Sequence, residues 1–133
     1  MPSRPPKAHL VVVDDDPHVL SALRFAFETE GYEVRTCRSG EELVASPPEH
    51  PHTCLVVDER LPGMSGLDAI AQLRGQGVHA PAVLITTHPA APVRRRAAAA
   101  GVEIVEKPLV DHSLAQKVRR LLDEHAAMAG PDR

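Results

Sequence analysis

Three consecutive aspartates, Asp14, Asp15 and Asp16, follow the apolar run Leu10-Val11-Val12-Val13. A fourth, Asp58, closes the run Thr53-Cys54-Leu55-Val56-Val57, Thr86 and Thr87 close the run that starts at Ala82, and Lys107 follows the run 102–105. Carboxylates that share a small site at neutral pH need a positive charge between them, because like charges a few ångströms apart raise one another's pKa. A hard divalent cation meets that need, and carboxylate oxygens, a backbone carbonyl and water are ligands that suit Mg2+. A lysine and a threonine hydroxyl at the same place complete a cradle for phosphoryl oxygens. A carboxylate can itself accept a phosphoryl group covalently. Together these residues imply Mg2+-dependent phosphoryl transfer onto an aspartate. Taken singly, each has a plainer reading: the triplet as a helix cap with favourable dipole charge, Asp58 as a turn residue, Thr86 as strand filler, Lys107 as a solvated lysine.

What brings the four runs together is the pattern around them. Leu10-Val11-Val12-Val13 is short and β-branched, a buried strand stopped by the aspartates. Asp16-Pro17 then supplies an N-cap and a proline at the first helical position. Val19, Leu23, Ala26 and Phe27 make one helical face, which Gly31 ends. The alternation continues with a strand over 32–36, a short helix over 41–45 closed by Pro47-Pro48, and a strand over 53–57. After the turn 61–66 comes a helix with Leu67, Ile70 and Leu73 inward. A strand over 82–86, an Ala-rich helix over 93–100 capped by Gly101, and a strand over 102–105 follow. The closing helix starts near Asp111 and carries Leu114, Val118, Leu121 and Leu122 on one stripe. Five strands alternating with five helices make an α/β fold with a parallel sheet covered on both faces. Such sheets bind ligands at the carboxyl ends of their strands, near a topological switch point. Asp14, Asp15, Asp58, Thr86 and Lys107 all fall at strand ends, so they converge on one edge.

A length of 133 residues suits a single domain. We place a flexible arm at 1–7, the folded domain at 8–125 and a frayed tail at 126–133. The charge is −3, from 15 basic and 18 acidic residues, so the triplet alone accounts for the acidity. A nucleic-acid footprint needs a basic excess, which is missing. The aromatics are one Tyr, two Phe and no Trp, all within the first quarter of the chain (Phe25, Phe27, Tyr32), which also excludes base-stacking platforms. No apolar run approaches the roughly 20 residues of a membrane span, and residues 1–7 lack the apolar region of a signal peptide. Cys37 and Cys54 lie in apolar surroundings without metal-ligand spacing, which suits reduced buried thiols and a cytoplasmic setting.

The strings Val12-Val13-Asp14-Asp15-Asp16-Pro17, Val57-Asp58-Glu59-Arg60-Leu61-Pro62-Gly63-Met64-Ser65-Gly66, Ile85-Thr86-Thr87-His88 and Glu106-Lys107-Pro108 resemble the receiver domain of bacterial two-component response regulators. The likeness runs from about Ala8 to Leu122. It implies the flavodoxin-like, doubly wound (βα)5 fold with strand order 2-1-3-4-5. It implies Asp58 as phosphoacceptor, and Asp15 and Asp58 as Mg2+ ligands, with Asp14 helping and the backbone carbonyl of Arg60 as a further ligand. Lys107 and the Thr86 hydroxyl would contact phosphoryl oxygens. The donor would be a phosphohistidine on a sensor histidine kinase or a histidine phosphotransfer protein. The receiver would assist its own phosphotransfer and dephosphorylation rather than act as an enzyme on other substrates.

Several positions depart from the pattern or tune it. Arg60 and His88 take the two flanking positions that stand beside the phosphoryl group and modulate hydrolysis in the family. Thr87 replaces a residue that is commonly very small, which narrows access to the acceptor. Ile104 stands where the family commonly keeps Tyr or Phe. Being β-branched and apolar, it has no ring to swing, so switching would have to act through the helix over 93–100 and the loop 88–92. The run Arg94-Arg95-Arg96 is either a solvated face or part of a partner surface. The face made by 93–122 is the family's usual output and dimer face. The partner downstream is either a separate protein or an output domain missing from a truncated receiver. Two rivals remain: a receiver-shaped interaction module that is not phosphorylated in the cell, and an aspartate-nucleophile phosphatase using the Asp14-x-Asp16 spacing. The site of a phosphoryl adduct separates them, Asp58 for the receiver and Asp14 for the phosphatase.

Overall fold

The computed structural model describes residues 7–109 and 112–129. In chain order the elements are β1 (His9–Val13), α1 (Pro17–Thr29), β2 (Glu33–Cys37), α2 (Gly40–Ala45), β3 (Thr53–Asp58), α3 (Gly66–Gly75), β4 (Ala82–Thr86), α4 (Ala91–Ala99), β5 (Glu103–Glu106) and α5 (Ser113–Ala129). The strands form one parallel sheet in the order β2-β1-β3-β4-β5, as the family likeness implies. The register aligns Val13 with Val57, Asp58 with Ile85 and Thr86 with Glu106, which puts the polar residues side by side at the carboxyl edge.

Strand alternation splits the apolar core into two layers. Leu10, Val12, Cys54, Val56, Val83, Ile85 and Val105 face α1 and α5 through Leu20, Phe27, Leu114, Val118 and Leu122. Val11, Val13, Leu55, Val57 and Leu84 face α2, α3 and α4 through Leu43, Leu67, Ile70, Leu73 and Ala97. Phe27 is the aromatic ring of the buried core and meets Tyr32 edge-on at 5.6 Å, while Phe25 is 75% exposed. Both cysteines are free and buried, Cys37 in one layer and Cys54 in the other, so the sheet itself separates the two thiols. Burial pushes the Cys54 thiol up to about 12, as expected of an inert structural cysteine.

Several local expectations shift, and β2 runs one residue later than 32–36, at Glu33–Cys37. The α1 face is centred on Leu20 and Phe27; Val19 and Leu23 are half-buried and Ala26 is exposed. Leu20 and Phe27 lie seven residues apart and bring more apolar area inward than Val19 and Ala26, so the helix turns them to the sheet. The α4 helix starts at Ala91, and Pro92 lies in its first turn, where a missing N–H costs nothing, so the expected loop 88–92 is shorter. β5 begins and ends one residue later than expected, at Glu103 and Glu106. The α5 helix continues through Ala126, Ala127, Met128 and Ala129, four residues of the segment set apart above as a tail. Its expected start, Asp111, lies outside the described residues, as do 1–6 and 130–133. Gly31, at φ +100°, ends α1 as expected of a glycine in the left-handed region.

Candidate functional site

Just past β1 lies Asp14, which is 2% exposed; its backbone N–H donates to the Cys37 carbonyl at 3.1 Å and its Oδ1 accepts the Asp16 N–H at 2.9 Å. Asp16 caps α1 by accepting the His18 N–H, so of the triplet it is the one used for local structure. β3 ends in Asp58, also buried. Lys107, just past β5, reaches back with Nζ 2.9 Å from Asp58 Oδ1 and 3.9 Å from Asp14 Oδ2. Its backbone N–H donates to the Thr86 carbonyl at 2.8 Å, which ties the lysine to the end of β4. Carboxylate oxygens, one each from Asp14, Asp15 and Asp58, lie within 4.8 Å of one another. Asp14 Oδ2 is buried and accepts no hydrogen bond, a cost that persists in a native fold when something else satisfies the atom.

The electrostatics follow from this crowding. Burial raises the Asp14 carboxyl above the ordinary value; the Asp16 N–H offsets part of that, and the charge of Asp58 adds to it. Burial raises Asp58 as well, against the hydrogen bond and charge of Lys107. Burial opposes the Lys107 ammonium too, but Asp58, Asp14 and Asp15 outweigh it and hold the lysine above its ordinary value. The site thus has more buried negative charge than one lysine neutralises. A set of hard oxygen donors, one of them orphaned, fits a small divalent cation.

Asp14, Asp15, Asp58, Arg60, Thr86, Thr87, His88 and Lys107 all line one cavity of about 800 Å3. The structure therefore brings together every expected site residue except Ile104. That residue sits inside β5 opposite Leu84, half-buried against the layer under α2 to α4. His88 holds a left-handed backbone at φ +48°, sparsely populated for residues other than glycine. Glu59 was not singled out from the sequence. Its Oε1 accepts the Leu67 N–H at 2.9 Å, and an acid one residue past a strand end, with the opposite facing to Asp58, was the available signal.

A second, apolar groove of about 700 Å3 adjoins the cavity and shares Val19, Thr87 and Lys107 with it. Ala22, Leu23, Ala26, Pro108 and Leu109 complete its walls. Along α4, Arg94 pairs with Glu106 at 2.9 Å and Arg96 with Asp68 at 2.6 Å, so two of the three consecutive arginines are bound to acids of neighbouring elements. On α5, Lys117 and Arg120 both hold Glu103.

Residues 10–119 match the response regulator receiver domain. The chain belongs to that family. Nodulation protein W of Bradyrhizobium diazoefficiens is 37% identical over 113 residues, which cover 84% of this chain and 50% of that protein, so the chain spans about half the length of this relative. Among solved structures, the response regulator StyR superposes with a TM-score of 0.84 at 34% identity over 93% of this chain and 63% of that one. A CheY-like receiver domain from Methanospirillum hungatei gives 0.84 over 92% of this chain and 99% of that one, and at 22% identity it attests the shared fold. The receiver is thus a signalling domain of the two-component response regulators, with its acidic cluster at the carboxyl edge. Among the described residues, no helix is long and apolar enough to cross a membrane.

Proposed function

We propose that Asp58 accepts a phosphoryl group from a phosphohistidine on a sensor histidine kinase or histidine phosphotransfer protein, in a Mg2+-dependent reaction, and that the phosphorylated receiver signals by protein–protein contact. The observation that carries this reading is Lys107 Nζ at 2.9 Å from Asp58 Oδ1, beside the orphaned Asp14 Oδ2. Asp58 is the buried acid at the centre of the cluster with a cation already on one oxygen.

Asp14, Asp15 and Asp58, with the Arg60 carbonyl, would hold Mg2+. When bound, the ion supplies positive charge against the carboxylates and the incoming phosphoryl oxygens. An Asp58 oxygen attacks phosphorus and forms the new P–O bond. The P–N bond breaks with its electron pair staying on the donor imidazole, which leaves neutral by taking a proton from solvent. Lys107 offsets charge gathering on the equatorial oxygens, and the Thr86 hydroxyl donates to one of them. Arg60 and His88, both lining the cavity, partly shield the acyl phosphate from water, and Thr87 narrows its approach. The apolar groove beside the site, with the exposed Phe25 on the same helix, offers the donor protein a surface that adjoins the acceptor. The face formed by 93–122 would carry the signal onward, to a second copy, a separate protein or an output domain.

Intact mass after incubation with Mg2+ and acetyl phosphate tests this. Wild type gains one phosphoryl group and Asp58→Asn gains none. An adduct that persists in Asp58→Asn overturns the assignment, and its location on Asp14 would indicate the phosphatase chemistry. No adduct on wild type would leave an interaction module.

A further inference from the structure

Strand alternation turns Asp58 and Glu59 to opposite sides of β3. Asp58 enters the cavity, whereas Glu59 follows Leu55 and Val57 towards the layer under α3. Every polar group of Glu59 that the fold engages ties a different piece together. Its N–H donates to the Ile85 carbonyl of β4 at 2.9 Å, and its carbonyl accepts the N–H of Leu61 at 3.2 Å and of Gly66 at 3.1 Å. Its side-chain Oε1 accepts the N–H of Leu67, in the first turn of α3, at 2.9 Å. That turn presses on the acceptor itself: a Cβ at Gly66 would lie 2.4 Å from the Asp58 carbonyl oxygen. Arg96, held by Asp68, lends its charge to the half-buried Glu59 carboxylate from the α4 side.

We propose that Glu59 is a positioning residue for the phosphoacceptor: its side chain clamps the first turn of α3 onto the β3–α3 loop and so fixes the Asp58 carboxylate and the Arg60 carbonyl for Mg2+. The inference rests on Asp58 being the acceptor. The clamp needs a hydrogen-bond acceptor of the right length, not a charge. Gln keeps the oxygen, whereas Met keeps the length and removes the oxygen.

The test is calorimetric titration of the unphosphorylated chain with Mg2+, for wild type, E59Q and E59M, together with the Mg2+ dependence of phosphorylation by acetyl phosphate. E59M loses Mg2+ affinity by about tenfold, the scale seen when support behind metal ligands is removed. Its phosphorylation slows by the same factor at low Mg2+ and recovers at saturating Mg2+. E59Q stays within about twofold of wild type, because an amide oxygen accepts the same N–H. Two results overturn the clamp: E59M indistinguishable from wild type in both measurements, or E59Q falling as far as E59M, which would make charge the cause. Amide exchange in wild type adds a measurement independent of how E59M folds. The Leu67 N–H is protected if the clamp holds, and rapid exchange there refutes it. Failure of wild type to phosphorylate on Asp58 would instead refute the acceptor reading, while the Mg2+ titrations still judge the clamp.

Discussion

The two edges of the sheet crowd like charges in opposite ways. At the carboxyl edge, three carboxylates from β1 and β3 meet one lysine from the end of β5. At the amino edge, the ring of His9, the first residue of β1, stacks on His50 at 3.8 Å and 17°. The His9 N–H donates to the His52 carbonyl, and the His52 N–H donates to His50 Nδ1 at 3.1 Å. Burial pulls the His9 pKa below 6.5, helped by the charges of His50, His52 and Lys7 and opposed by Glu33. Burial thus keeps the crowded His9 imidazole neutral. The carboxylates have no such escape at neutral pH and depend on cations. One edge is therefore self-sufficient, and the other is built to receive something.

Breaking the carboxyl edge has the largest expected effect. Lys107→Ala should slow phosphorylation by about a hundredfold, the usual scale for losing one preorganised electrostatic donor, measured as adduct formation against time at fixed Mg2+ and acetyl phosphate. Next comes the cation. At Mg2+ one hundred times its dissociation constant, wild type should gain about 2.7 kcal/mol of stability in thermal melts. Asp14→Asn should lose most of that gain. In chelator the same variant should melt above wild type, because the amide removes a buried negative charge that burial and the charge of Asp58 both disfavour.

The edges should also differ in the sign of their pH dependence. An acid raised by folding binds protons more tightly when folded, so Asp14 and Asp58 withdraw stability as pH rises from 3.8 through their folded values. A histidine lowered by folding takes up its proton on unfolding, so His9 gives stability above pH 6.5 that is lost as pH falls from 6.5 towards its folded value. Mg2+ should abolish the first slope and leave the second, and His50→Asn should weaken the second alone, since burial is its larger cause. Melting curves from pH 4 to 8, with and without Mg2+, would show both, and a shared response would end the comparison.

The smallest effects concern the rim and the strand beside it. Arg60→Ala and His88→Ala should shorten the half-life of the phosphorylated form several-fold, with stability changed by less than about 1 kcal/mol, as for surface substitutions. Unchanged half-lives would make both residues solvated loop positions. Ile104 should keep its rotamer between the free and phosphate-mimic forms, since a β-branched residue packed against the core has one preferred χ1. A rotamer change there would restore the usual route of switching through β5.

The carboxyl edge was legible because each of its residues ends an apolar run, and a parallel sheet lines up such ends. The amino edge was not. His9 and His50 meet across the register of β1 and β3, and no local periodicity marks a contact between a strand start and a distant loop. The same limit hid the facing of Glu59, whose partner Leu67 lies beyond a turn. On α1 the sequence shows the hydrophobic period but not its phase, because Val19 and Leu20 are both apolar and only side-chain size against the sheet decides between them. Pro92 does not mark the start of α4, because proline is as much at home in a first helical turn as before one.

The cavity takes Asp14 from the first strand and Lys107 from just past the last, with Asp58 and Thr86 between. No fragment holding fewer than four of the five strands contains the full set, and β5, the edge strand that delivers the lysine, pairs with β4 alone. If Asp58 is the acceptor, competence to be phosphorylated is therefore a property of the finished topology. During refolding, the rate at which acetyl phosphate begins to label Asp58 would time the docking of β5, the long-range step that local helix formation cannot anticipate.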